Sequence, residues 1–70
     1  MKWFEILWNG TWVEVDLRDI KKGEVFRVIQ NGIMHREKAT CEFKATSDAY
    51  YCSDWETYMI DYECFYGGNS

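Results

Sequence analysis

Two Asn-Gly dipeptides, Asn9-Gly10 and Asn31-Gly32, constrain this chain more than any other feature. A two-residue type I′ turn needs positive φ at both central positions, and Asn followed by Gly enters that region at the least cost. "KWFEILW-NG-TWVEVD" sets the first dipeptide between two runs rich in aromatic and β-branched residues. Residues 2–8 and 11–16 are therefore expected to form an antiparallel hairpin. "EVFRVIQ-NG-IMHREK" has the same form, with a strand over 24–30 and a weaker return strand over 33–38.

Other segments extend this pattern. In "CEFKAT", Cys41, Phe43 and Ala45 alternate with Glu42, Lys44 and Thr46, as in a strand with one face buried. "DLRDIKKGE" spaces Leu17 and Ile20 for a single helical turn, and Gly23 is placed to take a left-handed conformation after it. It is expected to be a bent connector, with Lys21 and Lys22 in solvent. Residues 1–66 make one small domain, and the terminal "GGNS", 67–70, is expected to be a flexible tail.

The segment "DAYYCSDWETYMIDYECFYGG" fits two conformations. As a helix over about 54–66 it has a capping box at Ser53-Asp54-Trp55-Glu56, an aromatic stripe at Tyr51, Trp55, Tyr58, Tyr62 and Phe65, and Gly67 in the place of a terminating glycine. As a strand, Tyr58, Ile60, Tyr62, Cys64 and Tyr66 alternate with Thr57, Met59, Asp61, Glu63 and Phe65. The expected fold is thus mainly β, a small curled sheet or SH3-like barrel with two Asn-Gly hairpins. The alternative is α+β with a C-terminal helix. A 70-residue chain buries only about 60% of its unfolded surface, so the aromatic residues are expected to fill the core, and self-association as a homodimer would add stability.

Charge is distributed unevenly. Residues 1–46 carry seven acids and eight bases, whereas residues 47–70 carry five acids and no base. The overall charge of −4 argues against the clustered Lys and Arg that direct nucleic-acid binding needs. Asp54, Glu56, Asp61 and Glu63, with Trp55 and Tyr58 among them, instead form a candidate partner-binding face. Carboxylates steer a basic partner, and Trp and Tyr are the side chains that anchor interfaces. A strand would put Asp61 and Glu63 on an outward face, and a helix would align Glu56 with Glu63; either leaves negative charge exposed. The rival from another class is a nucleic-acid-binding barrel that uses Trp12, Arg27 and Lys44, with Phe26 nearby, for stacking and phosphate contacts.

Catalytic and metal-binding patterns are not evident. His35, Cys41, Cys52 and Cys64 are spaced too widely for the close ligand pairs of structural zinc sites, and an odd cysteine count is a poor disulfide framework. Asp54 with Glu56, or Asp61 with Glu63, could pair as general acid and base, but a chain of this size has little room for the cleft such chemistry needs. No enzyme activity, cofactor or metal is expected. With no run of about 18 apolar residues and no signal-like N-terminus, the expected location is the cytoplasm.

"DLRDIKKGEVFRVIQNG", followed by "FKATSDAY" and "WETYMIDYE", resembles small uncharacterised proteins encoded by phages and prophages. In these an "IKKGDxFR…DG" block precedes "F-x-ATSD-x-Y". The likeness runs from about Leu17 to Glu63; Tyr50-Tyr51 and Cys52 depart from the pattern, so the loop at 47–54 is expected to differ from that of the proteins it resembles. The resemblance implies a small β-rich domain in a host bacterial cell and assigns no functional residue. Very small acidic phage proteins often resemble inhibitors of host machinery, anti-CRISPR proteins among them, whose negative surfaces imitate nucleic acid. What the resemblance implies for function is therefore an accessory protein that binds the basic surface of a host defence nuclease or another nucleic-acid-binding protein; a phage structural or assembly role is a further alternative.

Overall fold

The structure, a computed structural model, describes residues 1–66. The tail expected over 67–70 lies outside the described residues. β1 (Lys2–Trp8) and β2 (Thr11–Val15) form the first hairpin in unbroken register from Phe4↔Val15 to Trp8↔Thr11. Asn9 at φ +50° and Gly10 at φ +79° make the turn as their chemistry requires. A 3₁₀ turn at Leu17–Asp19 and a left-handed Gly23 then carry the chain into β3 (Val25–Gln30), which lies antiparallel to β1 on the side away from β2. Lys21 and Lys22 are exposed.

Asn31-Gly32 turns the second hairpin into β4, but β4 is only Ile33–Met34 rather than the return strand expected over 33–38. The reason is competition for one edge. The other half of β3 pairs with β5 (Glu42–Ala45) through Val25↔Lys44 and Phe26↔Phe43, so the chain must leave β3 after His35 and come back. It does so through a tight turn closed by Glu37 and Thr40, whose amides and carbonyls bond reciprocally at 2.9 and 3.0 Å.

The helix alternative over 54–66 is overturned. β6 (Tyr50–Cys52) and β7 (Thr57–Met59) form a third hairpin, and β8 (Tyr62–Phe65) pairs with the free edge of β5. The apparent capping box is the hairpin loop itself, Ser53–Glu56, with Glu56 left-handed at φ +52°, a conformation no right-handed helix contains. Strand formation prevails because it satisfies the edge of β5 and brings Tyr62 opposite Ala45 and Cys64 opposite Phe43. The single strand expected through this region is interrupted at Ile60-Asp61, where the chain passes from hairpin to sheet.

The protein is thus mainly β. Its principal sheet is antiparallel in the order β2-β1-β3-β5-β8, with β4 beside β3. β2 and β8 are the outer strands and do not pair with each other among the described residues, so the sheet is open rather than a closed barrel. One face carries the core: Ile6, Phe26, Phe43 and Ala45, covered by Ile20 from the connector and by Ile60. The Phe26 and Phe43 rings lie 5.8 Å apart and both meet Tyr62 edge-on.

The expectation that the aromatics fill the core fails for most of them. Among the described residues Phe26 and Phe43 are the only buried aromatic residues, whereas Trp8, Tyr50, Tyr51, Trp55, Tyr58, Tyr62 and Tyr66 are all exposed. Strand periodicity sends alternate side chains outward, and a sheet this small covers one face well and the other only locally, where Ile29 is buried opposite Trp3. Among the described residues no helix is long and apolar enough to cross a membrane.

Candidate functional site

The β6–β7 hairpin gathers the aromatic and acidic residues of the C-terminal segment. Its pairs are Tyr50↔Met59, Tyr51↔Tyr58 and Cys52↔Thr57. Because strand side chains alternate, Tyr51 and Tyr58 share one face, and their rings meet edge-to-face at 5.5 Å. At the tip, Trp55 is 73% exposed between Asp54 and Glu56, both in solvent. Such a large ring left in water, flanked by two charges, is the least expected feature of the surface.

The hairpin is fastened at its base. Tyr50 donates its hydroxyl to Asp61 Oδ1 at 2.9 Å, which holds the Tyr50 hydroxyl proton on to a higher pH than usual. The Asp61 amide donates to Ser47 Oγ, and the Asp61 carbonyl accepts from the Thr46 amide. Ile60 packs on the core and β7 lies against the 3₁₀ turn. Between hairpin and sheet runs an open groove of about 910 Å³, with Phe4, Val28, Tyr58, Met59 and Tyr62 among its lining residues.

Of the six residues in the candidate binding face, four come together and two do not. Asp54, Trp55, Glu56 and Tyr58 lie on the hairpin. Asp61 is occupied at the base by Tyr50, and Glu63 stands on β8 directly opposite Lys44 of β5. Asp48 is also committed, because its Oδ1 accepts the Lys22 amide at 2.8 Å. The acidic block of the sequence is therefore not one acidic face in space. Tyr51, absent from the sequence-derived set, belongs to the site by its contact with Tyr58. A hairpin centred on Ser53–Glu56 would have paired the two, but that loop lacks the Asn-Gly signature that marks the others.

The rival constellation also comes together. Arg27 lies over the Trp12 ring at 4.2 Å, and Lys44 shares their face of the sheet through its register with Val25. The charge on that face is not free, however. Arg27 Nε donates to Glu5 Oε1 at 2.7 Å, and alternation places Glu14, Glu42 and Glu63 on the same side. Carboxylates thus outnumber cations where phosphate would have to sit. Glu5 also accepts the Trp3 indole N–H, and this bond, with Arg27, holds its carboxyl below the usual glutamate range.

A second polar cluster centres on Glu37. Its Oε2 accepts the Tyr62 hydroxyl at 2.7 Å and lies 2.8 Å from His35 Nε2. The Tyr62 bond first, and His35 second, keep the Glu37 carboxyl ionised to lower pH than usual. Among the described residues no three His, Cys, Asp or Glu side chains are arranged to hold a metal, and the three cysteines are free thiols. Comparison with family models, curated proteins and solved structures finds no match to this chain.

Proposed function

We propose that this protein is a binding module that uses the tip of its β6–β7 hairpin to engage a basic surface on another protein. The observation that carries the reading is Trp55, 73% exposed between Asp54 and Glu56 on a projecting turn. An exposed Trp supplies a large apolar anchor, and the flanking carboxylates select a cationic rim around the pocket that receives it. Tyr51 and Tyr58 extend the contact along one hairpin face. The resemblance to phage-encoded proteins gives this reading its biological form. The partner would be a host defence nuclease, such as a CRISPR effector, or another nucleic-acid-binding protein in the bacterial cytoplasm, inhibited by occupation of its basic surface.

The geometry favours a small anchored contact over an extended imitation of a nucleic-acid backbone. Asp48 and Asp61 accept hydrogen bonds within the chain, and Glu63 stands opposite Lys44 on β8, away from the tip, which leaves Asp54 and Glu56 as the carboxylates beside Trp55. Direct binding of DNA or RNA by the Trp12–Arg27–Lys44 face has less support, because Glu5 holds Arg27 and the neighbouring side chains are acidic.

The test is capture from bacterial lysate on the immobilised protein, repeated with Asp54→Lys/Glu56→Lys and with Trp55→Ala. The expected result is retention of a basic protein that both variants release. Trp55→Ala should weaken binding to the purified partner by about 2 kcal/mol, roughly thirtyfold. Salt-sensitive binding of DNA or RNA by the isolated protein, or capture indifferent to both variants, would overturn the reading.

A further inference from the structure

β2 (Thr11–Val15) is an outer strand with β1 on one side and no strand on the other among the described residues. Its hydrogen-bonding phase follows from the turn. A two-residue loop makes Trp8 and Thr11 a bonded pair, so the amides and carbonyls of Thr11, Val13 and Val15 face β1, and those of Trp12 and Glu14 face away. The far side of β1 has the complementary phase, with the Met1 carbonyl accepting the Asn31 amide toward β3.

This edge lacks the usual guards. It has no proline, no lysine and no bulge, and Leu7, Trp8 and Val13 beside it are exposed. It also carries an unresolved charge. Glu14 stands directly opposite Glu5 in a close, non-bonded pair, and Glu5 is already taken by Trp3 and Arg27. Among the described residues Glu14 has no ion-pair partner.

We propose that β2 pairs antiparallel with β2 of a second copy, about a two-fold axis at Val13. In this register Trp12 exchanges both backbone bonds with Glu14 of the second copy, and Glu14 does so with its Trp12. All the outward-facing groups of the strand are then satisfied. Other symmetric registers are worse: one centred on Glu14 opposes two carboxylates, and one centred on Trp12 needs Gly10, which is committed to the turn at φ +79°. The chosen register also brings each Glu14 beside the Trp12 ring that Arg27 covers in the other copy, which sets the unmatched carboxylate next to an aromatic ring and its guanidinium rather than opposite a second carboxylate. Val13 meets Val13 on the opposite face. This pairing does not involve the hairpin tip and stands apart from the proposed function.

Sedimentation equilibrium of the full chain from about 1 μM to about 1 mM tests the proposal. The expected result is a concentration-dependent shift from monomer to dimer mass. Glu14→Pro removes an outward amide and no bond within the chain, so it should raise the dissociation constant at least about tenfold while circular dichroism stays native. Should Glu14→Pro fail to fold, Val13→Lys, which sets two like charges across the axis, must weaken the dimer by a similar factor. Asp54→Lys should leave it unchanged. A monomer mass across the whole range, or a dimer that withstands both edge variants, would overturn the proposal.

Discussion

Lys38 and Ala39 form a type I′-like turn without the residues that suit one. Both are left-handed, at φ +50° and +68°, between the reciprocally bonded Glu37 and Thr40. The strain is held by contacts on either side: the Tyr66 hydroxyl donates to the Lys38 carbonyl, and the buried Thr40 hydroxyl donates to the Phe65 carbonyl at 2.6 Å. A left-handed alanine costs roughly 1–2 kcal/mol, part of which glycine recovers against its greater freedom when unfolded. Ala39→Gly should accordingly stabilise the protein by about 0.5–1 kcal/mol in urea denaturation. A loss of stability would show that the turn is not strained. Glu5 gives a second prediction at this scale. Its carboxyl is held low by the Trp3 indole and by Arg27, so the stability it contributes is complete above its unfolded pKa and is lost as pH falls through the folded one. Urea midpoints should therefore drop between about pH 6 and about pH 3, and Glu5→Gln should make that drop shallower. An unchanged slope would remove Glu5 from the account.

At the scale of elements, the three hairpins differ in how firmly they are built and in how easily they are read. The first two announce themselves through Asn-Gly and alternating runs, and "CEFKAT" buries the face that its alternation marks, with Phe43 and Ala45 both under 3% exposed. The third was hidden because Ser53–Glu56 imitates a capping box and because Glu56 takes a left-handed conformation that a glutamate does not advertise. Local pattern also could not reveal that β5 has an edge to fill, and this long-range pairing decides between strand and helix for β8. The acidic residues were legible as charges but not as a surface: Lys44 opposite Glu63, and the Lys22 amide on Asp48, come from distant parts of the chain. β6–β7 has only three residue pairs and most of its side chains lie in water, whereas β1 is paired on both sides. A lone two-stranded ribbon is marginal, so its stability rests on Ile60 and the Tyr50–Asp61 bond. Hydrogen exchange should show β6–β7 amides opening well before those of β1 and β3, and Tyr50→Phe should speed the former selectively. Equal protection across all strands would mean the hairpin is part of the cooperative core.

For the whole molecule, the arrangement separates a buried aromatic cluster from an exposed one. Phe26, Phe43 and the edge of Tyr62 hold the sheet to its connector, and Phe43→Ala should cost about 3–5 kcal/mol, a large fraction of what a domain this small has in reserve. Trp55, Tyr51 and Tyr58 contribute little to that core and stand on the element least tied to it. In the proposed function this separation lets the contact surface vary without loss of fold, and it makes the claim measurable on one assay. With the captured partner purified and bound to a fluorescent oligonucleotide, titration of this protein is followed by anisotropy. The account predicts release of the oligonucleotide by the natural chain and none by Asp54→Lys/Glu56→Lys or Trp55→Ala at the same concentration. Release by all three alike, or a ternary complex in which the oligonucleotide stays bound, would contradict it.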